Sequence, residues 1–273
     1  MNSDRMPSSE ERPLRIVQFT DFHLLADPVR TMMGINTDES FRAVLAAVRQ
    51  GHWPADLCLL TGDLAQEARP ETYQRLKRYL QEMQAPCHCL PGNHDDPRLM
   101  RDHLSGGNVF TCFDVAFDHW RIVFLNSTIP GDPGGFLADE ELERLQASLA
   151  SCPERFVLVA LHHSPVETGS KWLDTMRLAN ADRFLALLAR YPKVRLVVFG
   201  HVHQAMDRHV GAIRLLSTPS TCFQFKPANG DFALDALPPG YRWIELCPNG
   251  HVDTGVVRLP ELPSGLDMTS AGY

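Results

Sequence analysis

Five short clusters in this chain combine imidazole, carboxylate and amide groups: Asp21-Phe22-His23, Gly62-Asp63, Gly92-Asn93-His94-Asp95, His162-His163 and Gly200-His201-Val202-His203. They hold six of the twelve histidines. Imidazole and carboxylate together suit Zn, Mn, Fe and related ions, whereas calcium takes an all-oxygen shell. Three imidazoles and a carboxylate would complete one zinc site. Seven good ligands exceed what one tetrahedral ion uses. Two ions sharing a bridging carboxylate would use them all. Singly, each motif is weak, because Asp-x-His or Gly-Asp is more often a turn or a cap than a ligand. Their weight comes from position, since all five close an apolar run.

Those runs are predicted as strands at Ile16 to Thr20, Asp56 to Leu60, about Pro86 to Leu90, Phe156 to Leu161 and Val194 to Phe199. Helical segments are predicted between them. One is capped by Thr37 and runs through Gln50, with Phe41, Val44, Leu45 and Val48 on one stripe. Others run from Pro70 to about Met83, from Ala138 to Ser151 and from Ala181 to Tyr191. Phe110 to Phe117 and His119 to Asn126 are expected to pair as strands around a turn at Asp118, and Met206 to Leu259 to form short strands and turns. In layered α/β proteins, ligands gather beyond the carboxyl ends of strands. Five polar clusters at five strand ends can therefore meet at one site.

Composition sets the limits. The chain has 273 residues, 44% of them hydrophobic and 22% charged, with no linker or repeat to divide it. Net charge is −7, and Lys and Arg are scattered, which argues against nucleic acid as a main partner. The polar first dozen residues do not read as a signal peptide, and no apolar run approaches the roughly 20 residues of a spanning helix. Seven cysteines at irregular spacing fit a reducing cytoplasm. Cys87-His88-Cys89 is expected to be a partly buried strand, because alternate residues point to opposite faces.

The order of the five clusters resembles the calcineurin-type metallophosphoesterase superfamily. Longer stretches, including LLADPVRTMMGINTDESFRAVL, TGDLAQE, PGNHDD, LHHSP, KWLD, GHVHQAMD and STPSTCFQFKP, are similar to bacterial class III 3′,5′-cyclic nucleotide phosphodiesterases. The likeness runs from about Leu14 to Leu259, and the final Gly272-Tyr273 shares it. The resemblance implies that Asp21, His23 and His203 bind one ion, that Asn93, His162 and His201 bind a second, and that Asp63 bridges them. It makes His94 the histidine facing the phosphoryl group, with Asp95 orienting it. Substrate contacts are expected from His23, Asp63, Asn93, His94, His163 and His203. His163 is open to a second reading, a hydrogen bond to a neighbouring loop. His52, His88, His103, His119, His209 and His251 are expected to be surface or structural. For the base, the resemblance offers the Trp172 region, Asn180 and the loop with Phe223 and Phe225, although core packing is the plainer role for those two rings.

Two departures narrow the class. Purple acid phosphatases carry a tyrosine ligand three residues after the bridging aspartate, where this chain has Gln66. Ser/Thr protein phosphatases continue Gly-Asp to Asp-Arg-Gly, where this chain reads Leu64-Ala65-Gln66-Glu67.

The expected fold is a four-layer α-β-β-α sandwich of two packed mixed sheets flanked by helices. A single domain over 13–260 is expected, with a disordered polar N-terminus at 1–12 and a C-terminal tail at 261–273. The resemblance implies hydrolysis of 3′,5′-cyclic AMP to 5′-AMP by in-line attack of a hydroxide bridging two ions. Fe and/or Mn are the expected metals, with Zn or Mg compatible. Rival substrates with the same chemistry are a 2′,3′-cyclic nucleotide, a linear diester or a nucleotide pyrophosphate. A binding scaffold with a dead site would have lost ligands that are present here. Monomer and homodimer both stay open.

Overall fold

The computed structural model describes residues 12–51, 54–83, 85–112 and 114–272. His52, Tyr273 and residues 1–11 of the expected N-terminal segment lie outside the described residues.

In chain order the first strands are β1 (Leu14–Phe19), β2 (Leu57–Thr61), β3 (Cys87–Leu90), β4 (Val109–Thr111), β5 (Val115–Ala116), β6 (Trp120–Phe124), β7 (Thr128–Ile129) and β8 (Asp132–Gly135). They are followed by β9 (Phe156–Ala160), β10 (Val194–Phe199), β11 (Met206–Val210), β12 (Ile213–Ser217), β13 (Gln224–Phe225), β14 (Leu234–Asp235), β15 (Gly240–Leu246) and β16 (Val252–Arg258). The helices are α1 (Thr37–Gln50), α2 (Pro70–Gln81), α3 (Pro97–Leu99, continuing as a π turn over Met100–Leu104), α4 (Asp139–Ala150), α5 (Lys171–Asp174) and α6 (Ala181–Ala189).

Two six-stranded mixed sheets result, ordered β16-β15-β1-β2-β3-β4 and β11-β12-β10-β9-β6-β5. Strands β1 to β4 run parallel in the first, and β6, β9, β10 and β12 in the second. Period-two alternation divides each central strand between two layers. Leu57 and Leu59 of β2 face Leu196 and Val198 of β10 in the layer between the sheets. Cys58 and Leu60 turn outward to Phe41, Val44, Tyr73 and Leu76 of α1 and α2. Val197 and Phe199 turn outward to Leu145 of α4 and Phe184 of α6. The four-layer sandwich is therefore present, with continuous apolar strands buried on both faces.

Several details differ from expectation. Asn36, not Thr37, caps α1, its side chain accepting from the Glu39 N–H at 3.0 Å. The run from Phe110 to Phe117 is not one strand. Its first part is β4, paired parallel with β3, and its end is β5, paired antiparallel with β6 in the other sheet. Cys112 takes a φ of 55° where the chain leaves the first sheet. Cys87, His88 and Cys89 are buried rather than partly so, with His88 stacked between Phe110 and Phe124. All seven cysteines are free thiols. Among the described residues no helix is long and apolar enough to cross a membrane.

A buried ion pair ties α1 and α2 to the loop after the first cluster. Arg75 Nε lies 2.8 Å from Asp38 Oδ1, and its other nitrogens donate to the carbonyls of Leu25 and Ala26. Removing the guanidinium strands a buried carboxylate that keeps only Tyr79 as a donor from this group. Arg75→Ala should cost about 3 kcal/mol in a urea unfolding series. A loss under about 1 kcal/mol would show that the pair adds little.

Candidate active site

The carboxyl ends of β1, β2, β3, β9 and β10 deliver all five clusters to one end of the sandwich. The loops are zipped together by main-chain hydrogen bonds, among them Asp21 N to Gly62 O at 3.0 Å and His23 N to Asp63 O at 3.0 Å. Five of the seven expected ligands sit in the left-handed region: Asp21 at φ 54°, His23 at 48°, Asp63 at 51°, His201 at 69° and His203 at 47°. Each costs on the order of 1 kcal/mol, and such strain gathers at functional sites. Glycine precedes three ligands because there is no room for a side chain. A Cβ on Gly92 would lie 2.1 Å from Asp63 Oδ1, and one on Gly62 would lie 2.3 Å from His162 Nδ1.

Three imidazoles are locked through Nδ1. His162 donates to Thr61 O at 2.8 Å, His203 to Phe223 O at 2.8 Å and His23 to Gln66 Oε1 at 2.7 Å. The Nε2 atoms of His23 and His203 then point inward as bare lone pairs. Against the cost of burial, Asp63 and Asp21 raise His162 to about 9, so its Nε2 would have to lose a proton to bind a metal. His162 Nε2 lies 3.2 Å from Asn93 Oδ1 and 3.3 Å from Asp63 Oδ2. His203 Nε2 lies 3.5 Å from Asp21 Oδ1 and 3.1 Å from His23 Nε2. Two lone pairs facing each other at 3.1 Å repel unless a cation sits between them. Nε2 of His201 is buried with no hydrogen-bond partner among the described residues. Donor set, orientation and burial thus fit metal ions. Asp21, His23 and His203 form one group whose candidate ligand atoms lie within 4.8 Å of one another, and Asp21, Asp63 and His162 form another.

The site's own charges point the same way. Burial, His94 and His162 hold His23 at about 4, against the pull of Asp63. Burial and His162 bring His201 down to about 3. These rings are neutral, as ligands must be. Burial and Asp63 push Asp21 up to about 8 against the pull of His162. Burial opposes the ionised form of Asp63 too, but His162, His94 and His23 keep its carboxyl well below the ordinary range.

A cavity of about 420 Å³ opens above this cluster. Asp63, Asn93, His94 and His201 form its floor, while Trp172, Met176, Phe225 and Phe232 form an apolar wall. Of the six residues expected to meet substrate, Asp63, Asn93 and His94 line the cavity, whereas His23, His163 and His203 are fully buried. His163 makes the loop contact, with Nδ1 2.8 Å from Ser127 Oγ and its ring against Gly135. The Asp95 carboxylate accepts from the N–H groups of Leu64, Ala65 and Gly92 and from the Tyr73 hydroxyl, bracing two ligand loops. Asn180 is not at the cavity. Its amide bonds the main chain of Leu137 in both directions. Phe223 packs on His23 and His203, and Phe225 stacks on His203 at 4.1 Å between ring centroids. Gln66 was visible in sequence only as the place where a tyrosine is missing; its hold on His23 follows from the same spacing. Met176 and Phe232 carried no signal.

The model of the family described as calcineurin-like phosphoesterase matches residues 14–205. A 3′,5′-cyclic adenosine monophosphate phosphodiesterase CpdA from Escherichia coli (strain K12) is 40% identical, covering 98% of each chain. The protein of the same name from Pseudomonas aeruginosa is 39% identical, covering 94% of each. Among solved structures, a dimetal phosphatase from Danio rerio superposes with a TM-score of 0.60 at 14% identity, covering 90% of this chain and 99% of that one.

Proposed function

The chain belongs to the calcineurin-like phosphoesterase family, and from that premise we propose that it hydrolyses 3′,5′-cyclic AMP to 5′-AMP in a metal-dependent reaction, lowering a second-messenger pool. The observation carrying this is the ring of inward-facing ligand atoms at the floor of a nucleotide-sized cavity. Its volume of about 420 Å³ falls among small-molecule sites.

Asp21, His23 and His203 would hold one ion, and Asn93, His162 and His201 the other, with Asp63 reaching both. The mixed nitrogen and oxygen donors favour Fe and/or Mn, with Zn or Mg compatible. Bound there, the ions supply positive charge to the phosphoryl oxygens and acidify water. The protein's side chains do the rest. Asn93 contributes a neutral oxygen, adding no negative charge beside the attacked phosphorus. His94, at the cavity floor, donates a proton to the departing 3′-oxygen. Asp95 is a positioning residue that fixes the loop carrying His94. The aromatic wall packs the base, whose π-face suits Trp172 and Phe225.

The cavity favours a mononucleotide over a polymer, and a net charge of −7 offers no basic track for one. Free thiols throughout support a reducing compartment such as the cytoplasm. The deciding experiment is release of 5′-AMP from cyclic AMP by chelator-treated protein, before and after adding Mn or ferrous iron. Metal-dependent release is expected. Turnover of a generic aryl diester without cyclic AMP turnover would leave the site standing and overturn the substrate.

A further inference from the structure

One point of the cavity lining comes from a segment that lies beyond residue 205, where the match to the family's shared core ends. Gly272 lines the cavity together with Trp172 and Phe232. The chain leading to it is mostly exposed, yet it is fastened at defined points. Met33 at φ 51° and Gly34 at φ 81° form a tight turn, closed by hydrogen bonds in both directions between Met32 and Ile35. That turn presents the Met33 carbonyl, which accepts from the Asp267 N–H at 2.9 Å.

Beside it, two glycines let two main chains touch. A Cβ on Gly34 would lie 2.0 Å from Gly265 O, and one on Gly265 would lie 2.7 Å from Gly34 O. Leu266 packs against the apolar cluster that contains Met32, Met33 and Leu173. The Asp267 carboxylate then accepts from the N–H and hydroxyl of Thr269, at 3.0 and 2.6 Å, which turns the chain toward the cavity mouth. A segment anchored at residues 265–267 thus brings Gly272 to the substrate cavity.

We infer that residues 265–272 are a specificity-determining wall of the nucleoside subsite. They block the side through which the second nucleoside of a linear diester would extend, confining turnover to mononucleoside cyclic diesters. This rests on the phosphodiesterase reading above. Apart from the polar floor, the rest of the lining joins the apolar Trp172, Met176, Phe225 and Phe232, which can hold a base, to Gly131, Asp132 and Pro133, and the limit on substrate length is assigned to the segment. The segment supplies that limit through main-chain bulk rather than a charged group.

The test compares the full chain, a chain ending at Glu261 and the point variant Gly265→Val. The valine must clash with the Gly34 carbonyl and adopt a left-handed φ, so it undocks the segment at the cost of one partly buried core contact, that of Leu266. Three substrates are used: cyclic AMP, a 3′,5′-linked adenylyl dinucleotide and bis(p-nitrophenyl) phosphate. Metal content is measured alongside and read as two ions per chain. For both altered proteins the ratio of dinucleotide to aryl diester turnover should rise by at least about tenfold, with KM for cyclic AMP rising by about the same factor. An unchanged ratio in Gly265→Val overturns the wall, even if the shortened chain fails to fold. A full chain that cleaves the aryl diester but not cyclic AMP overturns the cyclic AMP reading, and the dinucleotide ratio still decides the wall.

Discussion

Replacing Asp63 with alanine is expected to abolish binding of both metal ions and to lower kcat/KM for cyclic AMP by more than about 10³-fold, beyond the loss usual for one electrostatic contact. The carboxylate reaches both halves of the site. Its Oδ2 lies 3.3 Å from His162 Nε2 and 3.8 Å from His23 Nε2, and its Oδ1 accepts from the His94 N–H at 3.0 Å. Neither half is complete without it, because the remaining donors are imidazoles, one amide and Asp21. Asp63→Asn separates charge from shape. The amide keeps an oxygen for the His94 N–H yet removes the anion that holds two cations near each other, so metal should again be lost. Metal analysis after gel filtration, with far-UV circular dichroism to establish folding, reads both variants. A folded Asp63→Ala protein holding two ions per chain would take Asp63 out of the bridging position.

The convergence of the five clusters was legible in the sequence because each candidate ligand follows an apolar strand closely. Strand direction then dictates where the ligand goes, and the parallel register of β1, β2 and β3 does the rest. The glycines of Gly62-Asp63 and Gly92-Asn93 were legible too, since a ligand crowded against another loop leaves no room for a Cβ. What failed to show was anything decided by chain reversal or by distant packing. Phe110 to Phe117 was expected as one strand, and among the described residues the chain takes a left-handed turn at Cys112 where it passes between the two sheets. Asn180 is polar and near the cavity wall in sequence, yet its amide is spent on Leu137. A buried Asn satisfied by main chain looks, in sequence, the same as one waiting for a base. Residues 265–272 have no apolar period at all, and they are fastened by one N–H, two facing glycines and the packing of Leu266.

His94→Ala should separate metal binding from proton transfer. The side chain lies at the cavity floor, half-buried, with its ring 5.1 Å from that of His23. The bond from its main-chain N–H to Asp63 survives truncation at Cβ, as do the four hydrogen bonds by which Asp95 braces the loops. Two ions per chain should therefore remain. Loss of a positioned acid costs about 10²–10⁴-fold where the leaving group needs a proton. The 3′-alkoxide of cyclic AMP is such a group, whereas p-nitrophenolate leaves readily unprotonated. Turnover of cyclic AMP should thus fall by about 10²-fold or more while that of bis(p-nitrophenyl) phosphate falls far less. Equal losses on both substrates would mean that His94 binds the phosphoryl group without donating a proton. Loss of metal would instead make it a ligand, moving it into the group it already forms with His23 and Asp63.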